Sequence, residues 1–209
     1  MLHRSAGDTP LHRLLLPILP LLFIAVGCVG TGITENRALK HDPPGHAVFL
    51  EYGRRNEPMK PGMNRRAFNT VGSSAGAIAD QPDPGIVRIE PGTCRITGFS
   101  QLIFAPSPDA TSTPRPEPGY CILYDRRFEN DRTRMVANAL AIGDTAESAN
   151  GVPSRFDTIT RFDEVTEICL GHQSGRKVEG LYLTCVDDDP AGPSYNRPFA
   201  QVTIVRLGD

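Results

Sequence analysis

Tryptophan is missing from this chain of 209 residues, and aromatic residues together make up only 7% of it. Stacking platforms for sugars or single-stranded nucleic acid are therefore poorly stocked. Charge of one sign is lacking too. Lys and Arg number 22 against 24 Asp and Glu, a formal net charge of −2, too balanced to select nucleic acid or an acidic polymer as partner. No apolar run reaches the roughly 20 residues that a membrane-spanning helix needs. Histidines number five, and without a Cys-x-x-Cys or His-Glu-x-x-His spacing no zinc site, and no cofactor, is assigned. The 20 glycines and 19 prolines exceed average usage but stay below the fraction of a disordered low-complexity chain, so a loop-rich folded protein is expected.

What the chain does carry is an uncharged apolar stretch from Leu14 to Gly27, preceded by His3, Arg4, His12 and Arg13 against Asp8. Its length suits a secretory signal peptide over 1–27, and Pro17 and Pro20 would each remove a hydrogen bond from a spanning helix. The stretch ends in Ala25-Val26-Gly27-Cys28, which resembles the lipobox of bacterial prolipoproteins, with Ala25 where leucine is usual. That resemblance implies cleavage before Cys28 and a lipid on Cys28 that holds the protein in a membrane. Because Val29 rather than aspartate follows, it also implies the outer membrane, facing the periplasm. Simple secretion after cleavage at the same bond is the alternative.

Cleavage there leaves 182 residues, with 20 basic against 23 acidic side chains, a length that suits one domain. Residues 28–45 are polar, end in Asp42-Pro43-Pro44-Gly45 and read as a tether. Residues 46–209 read as one β-rich domain. Strands are expected over Ala47–Tyr52, Ile86–Glu90, Cys94–Thr97, Phe99–Ala105, Tyr120–Tyr124, Arg155–Phe162, Val165–Gly171, Leu181–Val186 and Phe199–Leu207, with a bulge at Gly98. Over Arg155–Phe162 the alternation puts Phe156, Thr158, Thr160 and Phe162 on one face and Arg155, Asp157 and Arg161 on the other. Gly53–Gly85, with Pro58, Pro61, Pro82 and Pro84, reads as an extended surface excursion with a short strand over Ala67–Val71. Pro106–Gly119, with five prolines, reads as an exposed arm. Arg132–Ile142 is the one helix candidate, capped by Asn130 or Asp131, with a strand as its alternative. The pattern predicts a mainly β fold, an antiparallel sandwich or barrel-like domain with long loops and one short helix.

Five cysteines leave an odd thiol in an exported protein; a lipid on Cys28 leaves Cys94, Cys121, Cys169 and Cys185 to pair. Cys169 and Cys185 flank a turn over Ser174–Gly180 centred between them, so a hairpin would bring them to disulfide distance. Cys94 and Cys121 then pair by elimination.

Gly72-Ser73-Ser74-Ala75-Gly76 matches the nucleophile elbow G-x-S-x-G and would make Ser74 a hydrolase nucleophile with His172 as base. Too few residues precede it to build the sheet beneath such an elbow, and a flexible Gly/Ser loop explains the same letters. His41, Asp42 and His46 form a weak metal corner, and Asp187, Asp188 and Asp189 lack the alternating ligands of a calcium loop. Arg54, Arg55, Lys60, Arg65 and Arg66 oppose only Glu57, which suits either anionic headgroups or a solubilising loop, the loop being favoured. Asp125, Glu129 and Asp131 near Arg126 and Arg127 read as a solvated strand end. The leading expectation is a non-enzymatic cell-envelope lipoprotein that binds a protein or small ligand in the periplasm, and not nucleic acid. The alternatives are a serine hydrolase using Ser74 and His172, and an inhibitor or immunity-type protein that blocks a single partner.

Overall fold

A computed structural model describes residues 44–53, 55–105, 116–146, 152–185 and 197–208. These residues form a mainly β, antiparallel sandwich with one short helix. The first sheet has the order β11 (Ser154–Phe162), β7 (Gly92–Ser100), β14 (Pro198–Gly208), β1 (His46–Tyr52), β4 (Thr70–Ala75). The second has the order β10 (Ala139–Thr145), β9 (Tyr120–Asp125), β12 (Thr166–Gln173), β6 (Ile86–Ile89), β5 (Ala79–Asp83), and β3 (Met63–Arg65) pairs with the far end of β12. A small third sheet joins β2 (Glu57–Pro58), β13 (Leu181–Thr184) and β8 (Ile103–Phe104).

Alternation builds the core. Along β1, Ala47, Phe49 and Glu51 turn inward while their neighbours are half-exposed, and along β11 Phe156 and Phe162 turn inward while Arg155, Asp157 and Arg161 face solvent, as the sequence pattern requires. Phe49, Ile96, Val202 and Ile204 of the first sheet pack on Val87, Ile89, Leu123, Ile168 and Leu170 of the second. The outer face of the second sheet is covered as well. Met135 of the helix α1 (Arg132–Ala137) and half-buried Phe128 lie over Ile122, Tyr124 and Cys169. Burial on both faces explains why β9 and β12 read as continuous apolar runs instead of alternating. A separate cluster of Met59, Leu102, Leu181 and Leu183 packs at the third sheet.

Several expectations are corrected. The segment 53–85 is no surface excursion: it supplies β2, β3, β4 and β5, strands in all three sheets, with Pro58 and Pro82 on strands at sheet edges where a missing N–H costs no ladder bond. The helix stops at Ala137 and the chain continues as β10, so the segment 132–142 is helix and strand in turn. Gly98 makes no bulge; β7 runs through it in unbroken register with β11. A Cβ there would come within 2.6 Å of the Phe156 ring, so the glycine serves close packing. Cys169 and Cys185 do not flank a hairpin, because β12 pairs with β9, β6 and β3 while β13 pairs with β2 and β8. No disulfide joins any two of Cys94, Cys121, Cys169 and Cys185. Most of the expected arm over Pro106–Gly119 lies outside the described residues, as do the signal segment, the lipobox cysteine Cys28 and the tether up to residue 43.

The two long sides of the sandwich differ. On one, β10 and β11 come together, with Thr158 Oγ1 donating to the Leu140 carbonyl at 3.3 Å. On the other, β4 and β5 leave a turn at Gly76 (φ 75°) and Ala77 (φ 45°) into different sheets. Among the described residues no strand closes that side.

Candidate functional site

The nucleophile elbow is absent. Ser74 lies in extended strand opposite Ala47, exposed at a sheet edge, and positive φ begins only beyond it at Gly76. His172 is on β12, 0% exposed, and both of its ring nitrogens are engaged elsewhere. Nδ1 is 2.6 Å from Ser100 Oγ and Nε2 is 2.8 Å from the Pro118 carbonyl. A carbonyl can only accept, so Nε2 carries the proton and Nδ1 accepts from the Ser100 hydroxyl. The Ser100 oxygen in turn accepts from Arg66 Nε at 2.8 Å. The structure therefore commits His172 to Ser100 and Pro118 and not to Ser74.

This chain of donors is one arm of a buried polar network. Arg66, 0% exposed, donates to Glu51 Oε2 at 3.3 Å, to the Leu183 carbonyl at 2.7 Å and to the Gln101 carbonyl. Glu51 Oε1 accepts the Ala67 N–H at 3.1 Å. Glu51 comes from β1, Ser100 from β7, His172 from β12 and Leu183 from β13, so one guanidinium ties together all three sheets. Burial pushes the Glu51 carboxyl above its ordinary range, against the pull of Arg66. Burial, aided by the Arg66 charge, pushes His172 down to about 3. Arg66, expected in a basic surface cluster, is buried instead, and nothing in the sequence motifs marks Glu51. The one available signal was that Glu51 falls on the same face of β1 as Ala47 and Phe49.

The remaining charged candidates hold the fold together. Asp125 accepts the Arg127 N–H at 2.8 Å at the start of a short 3-10 turn and pairs with the Arg127 side chain. Asp131, and not Asn130, caps α1 through the Arg134 N–H at 3.0 Å. Glu129 is paired with Arg65 at 2.8 Å. With Arg66 buried and Arg65 paired, the basic run 54–66 is no continuous headgroup patch; Arg54 lies outside the described residues. His46 starts β1, half-buried, while His41, Asp42 and Asp187 to Asp189 lie outside the described residues. Among the described residues no group of His, Cys, Asp and Glu is arranged to hold a metal.

A groove of about 600 Å³ opens where β4 and β5 diverge, between Thr70 and Val71 on one side and Gln81 to Pro84 on the other, with Phe68 in its lining. Two amides brace it. Asn69 exchanges hydrogen bonds with the Tyr52 backbone at 3.1 and 2.7 Å, and Gln81 Nε2 donates to the Phe68 carbonyl at 2.7 Å. Carboxylates line it: buried Glu51, backed by Arg66; Glu57, with Arg55 at 3.6 Å; and exposed Asp83. The edge of β4 runs from this groove. The Leu50 carbonyl accepts the Asn69 N–H at 2.9 Å, so alternation along β1 turns the backbone groups of Val48 and His46 toward β4 as well. Their partners Ser73 and Ala75 therefore bond inward, and the N–H and C=O of Ser74 point away from the sheet. No protein-family model and no curated protein matches the chain.

Proposed function

We propose that this protein is a non-enzymatic, lipid-anchored protein of the bacterial cell envelope that binds a partner at the open side of its sandwich. The observation that carries the reading is a contrast of placement. His172, Arg66 and Ser100 are enclosed and hydrogen-bonded to one another, whereas the edge of β4 and the adjoining groove are solvent-exposed. Binding surfaces commonly sit on the margins of a rigid scaffold. The anchor rests on the apolar segment 14–27 and on Ala25-Val26-Gly27-Cys28, and Cys28→Ser is expected to move the protein from the membrane to the soluble fraction.

The binding reading is tested with a photocrosslinking amino acid at Val71, beside the groove, and as control at Ile159 on β11, the opposite edge of the same sheet. Irradiation in envelope extracts is expected to give adducts from Val71 and none from Ile159. Equal adducts from both positions, or none, would overturn it. Labelling of the wild type by a fluorophosphonate, lost in Ser74→Ala, would instead install the hydrolase reading.

A further inference from the structure

We propose that β4 accepts an extended, basic segment of a partner protein as an added antiparallel strand, with its Lys or Arg side chain seated among the carboxylates of the adjoining groove; the inference deepens, and rests on, the binding reading above. Three observations converge on this occupant. The first is the backbone. The N–H and C=O of Ser74 point outward from an edge that has no second neighbour among the described residues, and such unpaired groups template strand addition.

The second is the chemistry of the edge. Natural edge strands are protected by charge or proline. Here β5 carries Asp80, Pro82 and Asp83, and β11 carries Arg155, Asp157 and Arg161, whereas β4 reads Thr70-Val71-Gly72-Ser73-Ser74-Ala75 with neither; its one register shift, at Gly72, leaves Ser73 to Ala75 regularly paired with β1. Its small exposed side chains leave the backbone accessible. The third is charge. Three carboxylates line the groove at the Thr70 end of β4, against Arg55 on the rim and Arg66 behind Glu51. Arg55 is 77% exposed and Asp83 is in no ion pair among the described residues, so an incoming cation finds an unmatched partner. A neutral or acidic strand could use the same backbone but would leave Asp83 unmatched.

The experiment is a random-peptide display selection on the full chain, followed by affinity measurements on the enriched peptides with Ser74→Ala, Ser74→Pro and the double variant Glu57→Lys/Asp83→Lys. Proline at 74 removes only the outward N–H, so the β1 ladder is expected to persist, as checked by circular dichroism. The expected result is enrichment of peptides with a Lys or Arg that bind wild type and Ser74→Ala alike. They should weaken about tenfold on Ser74→Pro, the size of one lost charge-free hydrogen bond plus a clash, and comparably on the double variant. Should Ser74→Pro not fold, the same peptides carrying backbone N-methyl groups read that contact from the other side.

Failure to enrich any peptide, undiminished binding to Ser74→Pro and the double variant, or a preference for acidic peptides would each overturn the inference. So would concentration-dependent self-association abolished by Ser74→Pro, which would assign β4 to a second copy of the chain. Adducts at Val71 without peptide enrichment would sink this inference and spare the binding reading. Absence of both would sink the two together.

Discussion

A protonated His172 would have no water around it and a guanidinium two hydrogen bonds away, so its proton is held far less tightly in the native state than in the unfolded chain. The sign of the consequence follows from linkage. Between the ordinary histidine value of 6.5 and the native value of about 3, the unfolded chain binds the extra proton, so stability is lost as pH falls through that window, by up to about 1.4 kcal/mol per pH unit. Above the window the contribution is constant. Glu51 acts oppositely: its raised native value makes stability fall as pH rises beyond 4.5. Urea midpoints measured from pH 3 to 7 are expected to gain less with rising pH in His172→Gln than in the wild type. The buried pair makes a second prediction. Arg66→Met alone leaves Glu51 buried without its partner and should cost about 3–5 kcal/mol, whereas Glu51→Leu added to it should restore part of the loss, read as a double-mutant cycle in chemical denaturation.

Strand by strand, legibility followed the ladder. Arg155–Phe162, within the observed β11, was readable because one face is buried and the other wet, which writes period two into the residues. The segment 53–85 was not, because β2, β3 and β5 have two, three and five residues and owe their order to hydrogen bonds with β13, β12 and β6, which no local pattern records. Gly98 shows the same limit. A glycine inside a strand suggests a bulge, but here the space is taken by the Gln201 carbonyl of β14 and by Phe156, a residue 58 positions away in sequence and opposite it in register. Gly98→Ala is expected to lower stability by about 1–3 kcal/mol through overpacking, seen as a reduced thermal midpoint. Gly208→Ala, where an added Cβ meets nothing within 4 Å, should leave that midpoint unchanged.

Across the whole molecule, a single guanidinium, reaching the second sheet through Ser100, links three sheets that no disulfide joins among the described residues. Cys94 and Cys121 line the main core, Cys169 sits beside Tyr124 on the other face of the second sheet, and burial raises all three thiols above their ordinary range. Alkylation of the unfolded, unreduced protein is therefore expected to modify Cys94, Cys121, Cys169 and Cys185, which intact mass reads directly; a product two adducts short would mean an oxidised pair. The candidate site was half legible. The run Gly72 to Gly76 stood out in the sequence for its small residues, and the structure places Gly72 to Ala75 as strand on the exposed edge that carries the binding proposal, with Gly76 in the turn that follows and no elbow.

From residues alone came the β class, the inward and outward faces of the longer strands and the start of the helix just after Asn130-Asp131, because each depends on neighbours within a few positions along the chain. Only the tertiary structure decided which strands became partners, that Arg66 and His172 lie inside, and which side of the sandwich stays open, because these depend on what distant segments leave uncovered.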